Sequence, residues 1–263
     1  MKRFWRPVTR ACLLLILTSA LSAAQTRALR FEDFIAIKRV SDPQLSPDGK
    51  QIAFVITEME KESNRANSDI YIIPSGGGEI RRLTSSPQAD FNPRWSPDGK
   101  KIAFISTRTG ASQVFLIDLA GGEAQPLTDI STGASGVIWS PTGEDLAFVS
   151  AVFPGCPDDA CNKKKNEEKE KSPVKARTYD QLLFRHWNAW FDGTRSHLFT
   201  VSPRGGKTVD VTPGDYDTPP LALGGSSDYA FSPDGKEICF VRNVDPELRL
   251  GLGTNNDIFL TPS

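Results

Sequence analysis

Ser46-Pro47-Asp48-Gly49-Lys50 returns as Ser96-Pro97-Asp98-Gly99-Lys100 and as Ser232-Pro233-Asp234-Gly235-Lys236, with a near copy at Ser140-Pro141-Thr142-Gly143-Glu144. Each copy has the chemistry of a tight turn. Proline presets φ at the first corner, aspartate or threonine tolerates the second, and glycine takes the left-handed position that closes a hairpin. A short apolar run follows each one: Ile52-Ala53-Phe54-Val55, Ile102-Ala103-Phe104-Ile105, Leu146-Ala147-Phe148-Val149 and Ile238-Cys239-Phe240-Val241. Four turn-and-strand pairs of one pattern are a structural repeat.

Working outward from the turns, the second repeat reads as four strands, 92–95, 101–107, 113–119 and 124–128, joined by short polar turns. The first repeat spans about 43–84, with strands at 44–45, 51–57, 69–73 and 80–84 and an exposed loop at 58–68. The interval from Ser140 to Ser232 is about twice the others. The third repeat therefore reads as 137–212, with strands 137–139, 145–150, 197–201 and 208–211 interrupted by an insertion at 151–194. The fourth covers 228–263, with strands at 229–231, 237–242 and 257–260, and stops before its last strand. Four antiparallel strands every 44–50 residues predict an all-β chain of propeller blades, about four of them, the last incomplete. The apolar runs fit, because a strand covered on both faces loses strict alternation. A chain ending within a blade is expected to leave one apolar face bare, so the sequence reads as the front piece of a longer protein.

Ahead of the repeats, residues 1–24 carry Lys2, Arg3, Arg6 and Arg10, an apolar core at 11–21 and small residues at Ser22-Ala23-Ala24. This is the layout of a secretory signal peptide; the alternative is an uncleaved anchor, for which the core is short. Export predicts a periplasmic or extracellular protein with no membrane association after cleavage. Residues 25–42 form a lead-in, with Phe31, Phe34, Ile35 and Lys38 at helical spacing, which predicts a short helix over 29–40. The formal net charge of -1 argues against a nucleic-acid partner, which needs a basic surplus on one face.

The insertion has three parts: an acidic loop between Cys156 and Cys161, a lysine- and glutamate-rich run at 162–171, and an aromatic segment at 174–193. In an oxidising compartment the two cysteines can pair; a metal site with Asp158 and Asp159 is the alternative. The charged run is expected to be a solvated loop or exposed helical turn. Trp187 and Trp190 either cover the flank of the blade or help to line a substrate cavity. Cys239 is expected to be a buried free thiol.

Catalytic patterns are missing. No Gly-x-Ser-x-Gly elbow occurs, since Gly133-Ala134-Ser135-Gly136-Val137 and Gly224-Gly225-Ser226-Ser227-Asp228 both lack the last glycine. His186 and His197, the two histidines, read more simply as packed residues than as bases. Gly205-Gly206-Lys207-Thr208 lacks the first glycine of a phosphate loop and reads as a blade turn. No metal or cofactor pattern is found, and the chain alone is expected to be inactive.

Phe31-Glu32-Asp33-Phe34, the passage Arg39-Val40-Ser41-Asp42-Pro43 into the first turn, and Arg185-His186-Trp187 through Trp190 to Asp192-Gly193 and His197-Leu198-Phe199 resemble exported peptidases of the prolyl oligopeptidase family, in the dipeptidyl-peptidase and acylaminoacyl-peptidase branch. The likeness covers 29–263. It implies a propeller followed by an α/β-hydrolase domain bearing the catalytic serine, which this sequence lacks, with short peptides as substrates of the full-length protein. It also implies acidic or arginine side chains on the propeller that hold the substrate's amino end. Arg185, Trp187, Trp190 and Asp192 are the candidates, with Asp158 and Asp159 chemically able to help. The blade turns alone are shared with TolB-like propellers, so a non-catalytic interaction module is the alternative.

Overall fold

The central strands of each repeat pair as the turns dictate. The computed structural model describes residues 27–179, 184–187, 189–220, 228–244 and 255–263; the expected signal peptide, 1–24, lies outside them. Contact density divides the chain into two units, 1–37 and 38–263. In the first, a five-residue helix α1, Phe31–Ile35, is capped by Asp33, whose carboxylate accepts the Arg30 N–H and pairs with Arg27. The helix is shorter than the expected 29–40. By Arg39 the chain is already in strand, because Arg39, Val40 and Ser41 pair with Thr57, Ile56 and Val55.

The second unit holds the sheets. The first comprises β1 (Arg39–Leu45), β2 (Gln51–Glu60), β3 (Arg65–Pro74) and β4 (Arg81–Arg82) in that order. The second repeats it with β5 (Asp90–Trp95), β6 (Lys101–Ser106), β7 (Gln113–Asp118) and β8 (Gln125–Pro126). In the third, β9 (Ser135–Trp139) and β10 (Leu146–Val152) pair on with β13 (Arg195–Val201) and β14 (Val209–Asp210). Between β10 and β13 lie helix α2 (Asp159–Lys171) and a small hairpin of β11 (Arg185–His186) and β12 (Ala189–Trp190). The fourth sheet has β15 (Tyr229–Phe231), β16 (Glu237–Arg242) and β17 (Asp257–Pro262). The fold is thus mostly β, in antiparallel propeller blades.

The expected loop at 58–68 is regular structure, and the charged run takes the helical one of its two expected forms. The stretch 58–68 continues the β2–β3 ladder as far as Glu60↔Arg65. Its one apolar pair, Met59↔Ala66, stands among polar residues, so no apolar alternation marks it. The charged run is helix α2, with Asp158 as its N-cap accepting the Cys161 N–H and Lys164–Glu168 and Glu167–Lys171 pairs along it. Its residues are good helix formers, but it has no apolar stripe to announce it.

Blade faces explain the apolar runs. In β6, Ile102 and Phe104 pack with Phe115 and Ile117 against Ala53, Ile70 and Ile72 of the first sheet. Ala103 and Ile105 point the other way, with Val114 and Leu116, onto Val137, Leu146, Phe148, Phe199 and Val201 of the third. Ala147, Val149 and Leu198 then meet Tyr229, Ile238 and Phe240 of the fourth. Burying one such phenylalanine contributes about 1.5–3 kcal/mol.

The fourth sheet copies the first closely. Asp257-Ile258-Phe259-Leu260-Thr261-Pro262-Ser263 repeats Asp69-Ile70-Tyr71-Ile72-Ile73-Pro74-Ser75, and Ser75 and Ser263 each donate to the carbonyl of a turn glycine, Gly49 or Gly235. Yet Ile70 is 0 % exposed while Ile258 is 74 % exposed, because among the described residues no sheet covers β17's outer face. Cys239 pairs with Leu260 on that face, so this free thiol is half-buried rather than buried.

Recurring polar locks join the strands. The Ile70, Val114 and Leu198 N–H groups donate to the hydroxyls of Thr84, Thr128 and Thr212 at 2.9–3.0 Å. Trp95 Nε1 donates to Gln44 O at 2.9 Å and Trp139 Nε1 to Arg94 O at 3.1 Å, each clasping the first strand of the preceding blade. Asp42, Asn92 and Gly136 occupy one place, four residues before the turn serine, with φ of 48°, 59° and 62°. Asp, Asn and Gly are the residues that tolerate this left-handed position, and it falls in the bulges of β1 and β5.

Each turn is built by its own side chains. Ser96 Oγ donates to Asp98 Oδ1 (2.6 Å) and accepts the Lys101 N–H (2.9 Å), while Asp98 accepts the Lys100 N–H (3.0 Å). Successive turns touch: a Cβ on Gly99 would lie 3.8 Å from Pro47, one on Gly143 3.7 Å from Pro97, and one on Gly235 2.6 Å from Ser140 Oγ.

Thr84→Val, Thr128→Val and Thr212→Val should each leave a buried N–H without its acceptor and cost about 1–3 kcal/mol, read by urea denaturation. The serine hydroxyl, then the lysine N–H, hold the carboxyls of Asp48, Asp98 and Asp234 below their ordinary value. A depressed folded-state value adds stability above the ordinary carboxylate range that disappears as pH falls through the folded value. The triple variant Asp48→Asn, Asp98→Asn, Asp234→Asn should therefore lose less stability on acidification than the parent, measured by thermal unfolding across pH.

Candidate functional site

The inserted segment leaves the third sheet after Val152 and returns at Arg195, which are register partners. Its first part is pinned. Cys156 and Cys161 form a disulfide at the start of α2, so their thiols are not free to bind a metal. Asn162, 4 % exposed, accepts the Phe153 N–H and donates to Asp158 O. Asp159 accepts from the backbone and the hydroxyl of Ser131, which ties the helix start to the loop before β9.

The second part folds back as the β11–β12 hairpin. Arg185 pairs with Trp190 and His186 with Ala189, and Trp187 in the turn has φ of 50°. Tyr179, Phe184 and Trp190 form a three-ring cluster with centroids 5.7–6.1 Å apart. The Tyr179 hydroxyl donates to Phe191 O at 3.0 Å, which fixes its ring. The Arg185 guanidinium lies over Trp190 at 5.5 Å and donates to Trp187 O at 2.7 Å. Lys175 and Arg177 join the three rings in lining an open cleft of about 650 Å³.

A charged bracket attaches this hairpin to the blade. The Arg195 guanidinium lies over the Phe191 ring at 5.0 Å and pairs with Asp215 at 2.8 Å and Asp217 at 3.2 Å. Burial pushes the Asp217 carboxyl above its ordinary value, against the Ser196 N–H and Arg195, which favour its charged form. Beside it, His197 is 2 % exposed, with its ring nitrogens hydrogen-bonded to Asp210 Oδ2 (2.7 Å) and Gly214 O (2.8 Å).

The structure brings Arg185, Trp187 and Trp190 into one hairpin, and of these only Trp190 lines the cleft. Trp187 is 77 % exposed. Asp192 turns toward the helix instead, where Lys169 donates to it at 3.1 Å and the Thr194 hydroxyl at 2.6 Å. Burial pushes its carboxyl up, but these partners more than offset that and hold it below its ordinary value. Asp158 and Asp159 are occupied as a helix cap and an anchor. Lys175, Arg177, Tyr179 and Phe184 are cleft residues that sequence reasoning did not single out. Their only signal is the density of aromatic and basic residues between 174 and 193. Arg195, Asp215 and Asp217 were missed because their contact joins the first residue of β13 to a loop some twenty residues later.

Lys169→Ala should move the Asp192 titration upward, toward the ordinary carboxylate range, in a carboxyl-detected NMR titration; an unmoved midpoint would mean that the ion pair does not form.

Residues 30–153 match the family model described as TolB beta propeller domain. The chain is 27 % identical over 233 residues to dipeptidyl-peptidase 5 of Porphyromonas gingivalis, covering 87 % of this chain and 33 % of that protein. It is 34 % identical over 110 residues to dipeptidyl-peptidase 5 of Aspergillus fumigatus, covering 37 % and 15 %. Among solved structures, acylaminoacyl peptidase of Pyrococcus horikoshii superposes with a TM-score of 0.60 at 20 % identity, over 87 % of this chain and 31 % of that one. At that identity the superposition speaks for the fold. The chain spans about a third of the length of the bacterial relative. Taken with the blades described above, these matches make residues 30–153 a TolB-like propeller domain, and over most of its length the chain is similar to the part of dipeptidyl-peptidase 5 and of acylaminoacyl peptidase that it covers.

Proposed function

We propose that this chain is the propeller portion of an exported serine peptidase, of dipeptidyl or acylaminoacyl type, and that it admits short peptides to a hydrolase domain outside the sequence given. The observation that carries this reading is the likeness to dipeptidyl-peptidase 5 over 87 % of the chain, reaching through the insertion as well as the repeats. The insertion joins two strands of a blade on the face opposite the Ser-Pro-Asp-Gly turns, where a substrate would meet it. Its rings and cations suit a ligand with an apolar body and a charged end. The disulfide supports export, since such bonds persist in oxidising compartments. No helix of the described residues is long and apolar enough to cross a membrane. The family model over 30–153 also favours a second reading, a TolB-like propeller that binds envelope proteins without catalysis.

Turnover separates the two. Dipeptidyl-naphthylamide and acyl-aminoacyl-naphthylamide substrates should be untouched by the 263-residue chain. A longer natural product of the same gene should cleave them and lose that activity to a serine-directed inhibitor. An uncleaved substrate panel with the longer protein would overturn the peptidase reading in favour of the binding module.

A further inference from the structure

Among the described residues, the two cations that line the cleft of the insertion, Lys175 and Arg177, have no counter-charge. Elsewhere on the blades, Arg82, Arg94, Arg108 and Arg195 are each paired with an aspartate. Among the described residues, no carboxylate lies within ion-pair distance of Lys175 or Arg177. Lys175 donates to Glu170 O at 3.1 Å, a backbone carbonyl that leaves its charge unneutralised among the described residues. Both cations stand beside an aromatic cluster whose members remain accessible, Phe184 at 42 % and Trp190 at 49 %. The cluster is held open from below, through Tyr179 to Phe191 O, Phe191 N to Phe184 O, and the Phe191 ring to Arg195. A cleft lined by interlocked rings and by cations that no described carboxylate neutralises is complementary to one kind of molecule. That molecule has an apolar or aromatic body and ends in an anion.

We infer that this cleft binds the carboxyl-terminal end of a short peptide, with Lys175 and Arg177 on the free carboxylate and Tyr179, Phe184 and Trp190 on the last side chain. The inference rests on the peptidase reading above and narrows its substrate class to peptides short enough to bring their carboxylate to the propeller. A planar guanidinium takes a carboxylate through two parallel hydrogen bonds, and a nearby ammonium adds a third donor. About 650 Å³ is the volume of a pocket for a small ligand, not for a folded chain. Rings with cations are also the platform of single-stranded nucleic acids. Such binding draws its strength from neutralising many phosphates. Two cations on a chain of net charge -1 favour the peptide.

The test is calorimetric titration of the intact chain with the tripeptide glycyl-leucyl-phenylalanine, its carboxyl-terminal amide, and a short oligothymidylate. The free acid should bind about tenfold more tightly than the amide. Lys175→Gln with Arg177→Gln should bring the acid down to the level of the amide. Trp190→Ala should weaken acid and amide alike, and Trp190→Phe should restore much of the loss. Equal affinity for acid and amide, indifference to the double variant, preference for the oligonucleotide, or no binding at all would each overturn the assignment. Hydrolysis by the longer protein, assayed in parallel, distinguishes the two failures: activity without carboxylate recognition sinks the cleft alone, and absence of activity sinks the peptidase reading.

Discussion

A blade has two apolar faces that only neighbouring sheets can cover, and this constraint governs the described structure up to β17, whose outer face no described sheet covers. Ile102 and Phe104 look toward one neighbour, Ala103 and Ile105 toward the other, and all four are 0 % exposed. No sheet here is stable alone, because its apolar area is buried only when the next sheet arrives. The polar groups are arranged to permit this packing. Threonine hydroxyls take the N–H groups where the short outer strands stop pairing, and indole N–H groups reach across to the preceding blade. The bulges in β1 and β5 follow from the same demand, since they bend the inner strand, and Asp42 and Asn92 accept the backbone angle this requires.

Where burial writes the sequence, the sequence was readable. The turns, β15 and β16, and the interruption between β10 and β13 follow from four copies of one turn and the apolar runs after it. The hidden elements are those with no apolar signature. The far end of the β2–β3 ribbon has a single apolar pair among polar ones, and α2 is polar or charged along almost its whole length. Their stability comes from ladder hydrogen bonds, a cap and ion pairs, which leave no period of two or 3.6 in hydrophobicity. The lead-in erred in the opposite sense. Its helical spacing is real over Phe31–Ile35, but pairing with β2 takes the following residues into strand.

The candidate site was legible by region and not by residue. Trp190 could be chosen because a large exposed aromatic in a loop asks for an explanation. Asp192 could not be discarded, because its attachment to Lys169 depends on a helix that the sequence did not announce. Arg195 is harder still. It belongs to a blade strand, stacks on the insertion and binds two aspartates from a later loop, so its meaning exists only in three dimensions.

The proline and glycine of successive turns lie against one another, and at Gly235 even a methyl group would collide with its neighbour. That rim is tiled edge to edge, so extra chain has nowhere to go there without prising whole blades apart. The opposite rim has slack: its connections range from the four residues between β2 and β3 to the long excursion between β10 and β13. Added chain is accommodated at that rim, and novelty in recognition accumulates at the ends of the blades where the insertion leaves them.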